Sequence, residues 1–233
     1  RTSNNIFIFQ NIEDKNIFID FGFALEKSTT VIHGSGINLK KYHFKKRNVN
    51  KVLSFIFASR LVKAKGIREF LIAAKIMKET YPEIKINIAG KYDPADPDKI
   101  SEELFNKIKI SKHTHYLGDI NHDKMAETLI KSDIFVLPSY GEGLPKAALE
   151  AAALGMPLIL SNVSGCKECV EDKKNGLLIK SQDVESLITA MKWIILNQDQ
   201  ISTMSQFSRE IIERKFSINE IFYSYKNLIT RIK

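Results

Sequence analysis

The chain has 233 residues, of which 44% are apolar and 27% are charged, an ordinary composition for a globular domain. A disordered, collagen-like or wholly coiled-coil chain is thereby excluded, and no apolar run approaches the roughly 20 residues that span a bilayer. The formal charge of +8 indicates a phosphate-rich partner, without choosing among a nucleotide, a nucleic acid and an anionic membrane. Because there are only two cysteines, Cys166 and Cys169, a disulfide framework is excluded and a reduced, cytoplasmic protein is expected. Because the first residue is Arg1 rather than Met, we expect a piece of a longer protein.

The first fifty residues predict two short strands followed by a basic connector. Residues 6–9 and 29–32 are apolar and strand-like, and a polar turn is expected at residues 11–16. The second strand leads into Gly34-Ser35-Gly36, where a ligand can approach the backbone closely. Residues 40–51 contain six Lys or Arg and no acid, which predicts a solvated connector at a domain boundary.

From residue 52 onward, short apolar strands alternate with amphipathic helices. Strands are expected at residues 52–59, 84–89, 115–118, 134–137, 158–160 and 177–179. Helices are expected at residues 67–77, 96–110, 124–130, 145–155, 184–195, 200–214 and 218–233. This alternation predicts an α/β fold with a doubly wound, Rossmann-like parallel sheet, whose ligand lies at the carboxyl ends of the strands.

One of these strand ends contains two candidate carboxylates. The strand at residues 134–137 leads into Gly141-Glu142-Gly143, and a helix begins near Pro145. The unpaired N–H groups of its first turn and its dipole form a site for anions, with Glu142 beside it. Glu150 lies among alanines on that helix, where a buried carboxylate needs donors such as sugar or ribose hydroxyls. From spacing alone, a solvated loop charge and a partly exposed helix residue explain the two glutamates equally well.

Cations follow the first strand of the same sheet. Arg60 and Lys65 precede a helix, a placement that suits a diphosphate and its charge as a leaving group. Taken by itself, this segment also fits a basic surface loop.

Two further patterns have competing explanations. Asp96 and Asp98 match a D-x-D pattern that can hold a divalent ion, but they also fit a helix cap and a charge that complements the helix dipole. Cys166 and Cys169 form a C-x-x-C pair, which fits a redox pair in a thioredoxin-like unit and supplies only half the ligands of a structural zinc site.

Taken together, these residues resemble the retaining, nucleotide-sugar-dependent glycosyltransferases of the GT-B fold, family four, also called group 1. The resemblance covers residues 6–233 and is greatest to transferases that build bacterial capsule, O-antigen or lipid-linked oligosaccharides. Glu142 and Glu150 have the family's E-x7-E spacing. The matching segments, in the family's order, are residues 34–38, 59–61, 65–66, 89–90, 116–118, 132–139, 142–145, 150–151, 155–157 and 175–178.

The resemblance implies a role for each candidate residue. Arg60 and Lys65 would hold the donor diphosphate and offset its charge as it leaves, with help from the amides near Gly143 and Leu144. Glu142 would contact the hydroxyls of the transferred hexose, and Glu150 would bind the ribose. Further donor-binding residues would be Gly36, Gly90, Lys91, Tyr116, Leu117, Gly143, Leu144 and Pro145. The base pocket would consist of Gly90, Lys91, Tyr116 and Leu117. The donor would be a UDP- or GDP-linked sugar, and neither a cofactor nor an obligatory metal is expected.

The resemblance also implies half of a two-domain enzyme. Residues 1–36 would be the tail of the acceptor domain, 37–51 the connector, and 52–214 the Rossmann-like nucleotide-sugar-binding domain. Residues 215–233 would form a helix that crosses back to the acceptor domain. We therefore expect a fragment that binds donor but transfers little sugar, from an enzyme that acts on a lipid-linked or saccharide acceptor in the cytoplasm, at the inner face of the membrane.

The sequence departs from the family pattern at two positions, and one rival function is also consistent with it. Gly141 replaces an arginine that is frequent in close relatives, and His33 replaces a common proline. The rival is a basic Rossmann-like module that contacts nucleic acid or a membrane surface through residues 40–51. Aromatic motifs of RNA-binding domains are absent, so no nucleic acid partner is expected.

Overall fold

The computed structural model of the protein describes residues 5–47 and 52–232. Its strands are β1 (Phe7–Phe9), β2 (Thr29–Val31), β3 (Ser54–Ala58), β4 (Lys85–Ala89), β5 (His115–Tyr116), β6 (Ile134–Leu137), β7 (Leu158–Ser161) and β8 (Gly176–Ile179). Its α-helices are α1 (Ile12–Asp20), α2 (Ile67–Thr80), α3 (Glu102–Lys109), α4 (His122–Leu129), α5 (Lys146–Ala153), α6 (Ser164–Cys169), α7 (Val184–Leu196), α8 (Ile201–Ile211) and α9 (Ile218–Ile232). A π-helical turn, Ile212–Phe216, joins α8 to α9.

Strands β3 to β8 form a parallel sheet in the order β5-β4-β3-β6-β7-β8. Every residue of β3, β6 and β7 is buried, as expected of central strands that helices cover on both faces. The chain runs outward from β3 to β5, then returns to β6 on the other side of β3. This reversal creates a crevice at the carboxyl ends of β3 and β6, and the predicted doubly wound, Rossmann-like fold is confirmed.

A smaller unit precedes this sheet. Strands β1 and β2 pair in parallel, with α1 between them. Residues 11–16 were predicted as a turn, but α1 begins at Ile12 behind an N-cap at Asn11, whose side chain accepts from the Asp14 N–H. The turn prediction is therefore wrong. None of the α1 residues is fully buried, so the helix lacks the strong apolar stripe that reveals a helix in a sequence.

One helix boundary also differs from the prediction, and one helix was missed. The helix expected from residue 96 begins at Glu102, where the Ser101 side chain caps it by accepting from the Leu104 N–H. Asp96 instead accepts from the Asp98 N–H within a turn, so the helix cap predicted at Asp96 is wrong. The short helix α6 was not predicted at all.

The predicted solvated connector is only partly solvated. Residues 48–51 of the connector lie outside the described residues, but Arg47 is 3% exposed. Its guanidinium donates to the carbonyl oxygens of Ile130 and Ser132 at 3.0 and 2.8 Å, and to that of Leu154 at 3.5 Å. These carbonyls lie at or just beyond the carboxyl ends of α4 and α5, where a buried cation satisfies unpaired acceptors. Arg47 is therefore a structural residue and offers no charge to a partner.

Candidate functional site

The loops that follow β3 and β6 meet at the crevice of the sheet. The Tyr140 N–H donates to the Ala64 carbonyl at 2.8 Å, which joins the two loops directly. Gly66 has φ +70°, and a Cβ there would lie 1.9 Å from the carbonyl oxygen of Pro138. The loops can approach this closely only because residue 66 is glycine.

Lys65 and Glu142 come together across this junction. The Lys65 ammonium donates to Glu142 Oε1 at 2.6 Å, and their side chains are 20% and 9% exposed. A cation and a carboxylate separated by 77 positions thus form one site at the switch point of the sheet.

Arg60 lies at the same edge but is not part of this contact. Its guanidinium is 65% exposed and donates to Asp96 Oδ2 at 2.6 Å. Asp98 is also engaged, because its Oδ2 accepts from the Ala64 N–H at 2.8 Å. Both carboxylates of the D-x-D pattern therefore accept hydrogen bonds from the loop that contains Arg60 and Lys65.

Glu150 is buried, and it lines a cavity. Its side chain is 5% exposed, and Oε1 has no partner with hydrogen-bond geometry among the described residues. The Tyr42 hydroxyl is nevertheless close enough to the Glu150 carboxylate to interact with it. The His122 ring is the nearest cation-forming group, with Nδ1 at 3.9 Å from Oε1. The cavity measures about 210 Å³, and its polar lining includes Asn38, Lys41, Tyr42, His122 and Lys146, with Gly36 at its wall. A buried carboxylate oxygen beside such a space is suited to accept from hydroxyls of a ligand.

Tyr42 accompanies Glu150 in this cavity and was not predicted as a site residue. Burial raises the pKa of the Tyr42 hydroxyl well above its usual value, and the neighbouring Glu150 carboxylate raises it further. The phenol therefore stays protonated at neutral pH, where it keeps a donor in the cavity.

The four residues predicted for the base pocket lie together at the ends of β4 and β5. The Tyr116 hydroxyl donates to the Gly90 carbonyl at 2.8 Å, and its ring packs edge-on against Phe105 at 5.7 Å. Leu117 is partly buried against the core, and Lys91 pairs with Asp93 at 3.3 Å. Since the Tyr116 hydroxyl is already engaged with Gly90, it is not a free donor for a ligand.

The loop before α5 is held from behind by two residues that the sequence did not single out. The Asn11 side chain donates to the Gly143 carbonyl at 2.9 Å, and the Gly165 N–H donates to the Glu142 carbonyl at 3.0 Å. Gly143 and Leu144 lie next to Pro145, the residue before α5, as predicted. The pattern Asn11-x-x-Asp14 was readable as a helix N-cap, but a partner 132 positions away was not.

The cysteine pair lies in a buried environment. Cys166 and Cys169 are free and buried on α6. Burial raises the pKa of Cys166 to about 12, and burial raises that of Cys169 as well. A thiol with such a pKa holds little thiolate at neutral pH and is a poor nucleophile. Because both cysteines are also fully buried, the structure favours a structural role over the redox alternative.

The described part of the chain contains neither a metal-binding cluster nor a helix that could span a membrane. Within residues 5–47 and 52–232, no cluster of three His, Cys, Asp or Glu side chains could hold a metal ion. None of the helices in these ranges is both long and apolar enough to cross a membrane. That the reaction needs no metal stays a prediction.

Comparison with known proteins identifies the family. The family model for glycosyl transferases group 1 matches residues 39–213. The chain is 32% identical to an N,N'-diacetylbacillosaminyl-diphospho-undecaprenol alpha-1,3-N-acetylgalactosaminyltransferase of Campylobacter jejuni, over 78% of this chain and 48% of that protein. It thus spans about half the length of this relative.

Solved structures share the fold. Anabaena HepE in complex with UDP-glucose superposes with a TM-score of 0.81 at 19% identity, over 97% of this chain and 64% of that one. The C-terminal domain of a group 1 glycosyl transferase from Francisella tularensis superposes with a TM-score of 0.68 at 22% identity, over 78% of this chain and 100% of that one. The architecture is therefore that of the C-terminal half of a GT-B fold, and the chain belongs to the glycosyl transferases of group 1.

Proposed function

We propose that this chain is the donor-binding half of a retaining glycosyltransferase that uses a nucleotide diphosphate sugar. The observation that carries the proposal is the buried Glu150 carboxylate, which lines a cavity of about 210 Å³ and whose Oε1 makes no hydrogen bond within the described residues. Glu150 lies on α5, whose amino end follows the loop that carries Glu142. Ribose hydroxyls in this cavity would satisfy Glu150, and the diphosphate would extend toward Lys65.

The charges at the crevice support a diphosphate rather than a neutral ligand. Lys65, Arg60 and the amino end of α5 would offset the negative charge that grows on the diphosphate as the sugar leaves. In the structure, Lys65 is paired with Glu142 and Arg60 with Asp96. An incoming diphosphate would compete for both cations, which would free the Glu142 carboxylate to bind hydroxyls of the transferred hexose. The base would lie against Gly90, Lys91, Tyr116 and Leu117.

The acceptor and the setting follow from the relatives and are part of the same proposal. The Campylobacter relative is named for a sugar carried on diphospho-undecaprenol, so we infer a lipid-linked or polysaccharide acceptor. Residues 5–36 and α9 would then belong to the interface with an acceptor domain, with residues 52–214 as the donor domain. We place the enzyme in the cytoplasm, at the inner face of the membrane, where its +8 charge favours anionic lipid.

Isothermal titration calorimetry of the chain tests the proposal. UDP and GDP are titrated, with a single-stranded oligonucleotide as the control for a general polyanion site. We expect one of the two nucleoside diphosphates to bind at a single site. The oligonucleotide should bind only as a nonspecific polyanion does. Binding of the oligonucleotide with neither UDP nor GDP would contradict a transferase donor site. Retention would be tested in the whole enzyme from the anomeric proton of the product.

A further inference from the structure

Asn11 is a fully buried polar residue that the proposed chemistry does not yet use. It lies at the amino end of α1, in the segment that precedes the Rossmann-like sheet, and its exposed fraction is 0%. Its Oδ1 accepts from the Asp14 N–H at 2.8 Å, the bond that caps α1. Its Nδ2 donates to Asp14 Oδ2 at 2.8 Å and to the Gly143 carbonyl at 2.9 Å. One side chain therefore caps a helix and also holds the loop before α5.

Gly165 holds the preceding peptide group of the same loop. Its N–H donates to the Glu142 carbonyl at 3.0 Å. A Cβ at position 165 would lie 2.4 Å from the Gly143 oxygen and 2.6 Å from the Glu142 oxygen. These distances are well below van der Waals contact, so any side chain larger than that of glycine would displace the loop.

These two contacts fix the directions of two N–H groups. The described residues contain no cis peptide bond, and in a trans peptide the carbonyl and the next N–H point in opposite directions. With the Glu142 carbonyl held by Gly165, the Gly143 N–H points away from α6. With the Gly143 carbonyl held by Asn11, the Leu144 N–H points away from α1. Neither N–H donates to a partner in the part of the chain that the structure describes.

We propose that Asn11 and Gly165 are positioning residues that orient the Gly143 and Leu144 N–H groups toward the distal phosphate of the nucleotide. This inference rests on the proposed function, since it assigns a ligand atom to a donor pair in that site. The two N–H groups precede the amino end of α5 and add to its unpaired donors, a favourable arrangement for an anion. Neither Asn11 nor Gly165 touches the ligand, and each acts through a carbonyl of the loop.

Further contacts connect α1 to α6, behind the loop that precedes α5. Besides Asn11, the Ile12 N–H donates to Glu168 Oε1 at 3.3 Å, and Lys167 pairs with Glu13 at 2.6 Å. Helices α1 and α6 thus hold each other behind the loop. A displacement of α1 would act on the anion site through the Gly143 carbonyl.

The test compares diphosphate with monophosphate binding by calorimetry, using UDP and UMP or GDP and GMP, whichever base binds. Asn11→Ser keeps a capping oxygen for α1 but is too short to replace the amide bond to Gly143. Asp14→Ala is the matched control, because it removes the local partner of Asn11 and leaves the bond to Gly143. Gly165→Ala is a second, independent variant, which displaces the loop without touching α1. Thermal melts confirm that each variant is folded.

We expect Asn11→Ser and Gly165→Ala to weaken diphosphate binding about 5- to 10-fold, the scale of one lost hydrogen bond, with monophosphate binding unchanged. Asp14→Ala should keep the wild-type ratio of the two affinities. An unchanged ratio in both Asn11→Ser and Gly165→Ala would overturn the inference while the proposed function stands. A wild-type chain that binds no nucleotide would instead overturn the proposed function.

Discussion

Glu150 is the residue on which the proposed nucleotide site depends most. A buried carboxylate with an oxygen unpartnered within the described residues costs free energy in the unliganded protein. Glu150→Gln removes that charge, so we expect the unliganded variant to melt at the same temperature as the wild type or higher. It should bind nucleotide about 1–3 kcal/mol more weakly, because hydroxyls of the ribose lose a charged acceptor.

Calorimetry and a thermal melt together check this prediction. Glu210→Gln is the control, since Glu210 is exposed on α8. If Glu150→Gln lowers the melting temperature by several degrees, Glu150 is a structural residue. If it binds nucleotide as the wild type does, the ribose contact is wrong.

Lys65 and Lys63 offer a matched pair of cations on one turn. Lys65 reaches Glu142 at 2.6 Å, whereas Lys63 is exposed. We expect Lys65→Met to weaken nucleoside diphosphate binding by about 1.5–3 kcal/mol, the scale of a hydrogen bond to a charged group. Lys63→Met should change it by less than about 0.5 kcal/mol, as for an exposed charge. Equal effects of the two substitutions, measured by calorimetry, would show a diffuse electrostatic attraction in place of a defined contact.

At the level of elements, the carboxyl ends of α4 and α5 depend on one buried cation. Arg47→Met leaves the carbonyls of Ile130 and Ser132 without their donor, so we expect a loss of roughly 2–4 kcal/mol in the free energy of unfolding. The Leu154 carbonyl keeps its bond from the Lys45 N–H at 3.2 Å. Lys46→Met, at the exposed neighbouring position, should change it little. Urea denaturation measures both. If Arg47→Met is as stable as the wild type but binds polyanions more weakly, the structural role of Arg47 is wrong and the connector is a binding surface.

The sequence predicted those elements whose signal is local. The central strands are apolar runs because both of their faces are buried, and Gly155 ends α5 with φ +77° as its position in the sequence indicates. Helix α1 was not predicted, because its residues are at most partly buried. The start of α3 was misplaced, because an aspartate before proline stabilises turns as well as helix caps.

The candidate site likewise contains residues that the sequence predicts and contacts that it does not. Glu142, Glu150 and Lys65 were candidates because they follow strand ends, and the resemblance to the glycosyltransferase family then implied their roles. The bonds of Asn11 to Gly143 and of Gly165 to Glu142 were not, because they depend on how α1 and α6 pack behind the loop. The sequence also gives no sign that Arg60 is paired with Asp96 in the absence of a ligand.

At the level of the whole molecule, apolar side chains are exposed on the small β1–α1–β2 unit and on α9. The exposed fractions of Phe21, Phe23 and Phe222 are 71%, 67% and 69%. Such a surface is characteristic of a site that another protein segment covers. Between β2 and α9 lies a groove of about 590 Å³, lined in part by Gly34 and Tyr225.

This surface predicts the behaviour of the isolated chain. We expect it to self-associate at micromolar concentrations and to transfer little or no sugar, since holding donor and acceptor in reactive geometry is worth roughly 7–11 kcal/mol. Analytical ultracentrifugation and a radiolabelled transfer assay measure the two properties. Extension of the chain with its upstream sequence should reduce the self-association and raise transfer. A monomeric chain that transfers sugar rapidly by itself would contradict the division into two halves.

The central claim is that a nucleotide diphosphate binds at the crevice between the ends of β3 and β6. A crystal structure of the chain with the nucleoside diphosphate that binds in calorimetry tests it most directly. We predict ribose hydroxyls within hydrogen-bond distance of Glu150 and phosphate oxygens in contact with Lys65 and with the N–H groups before α5. A nucleotide bound elsewhere, with Glu150 still facing an empty cavity and Lys65 still paired with Glu142, would contradict the account.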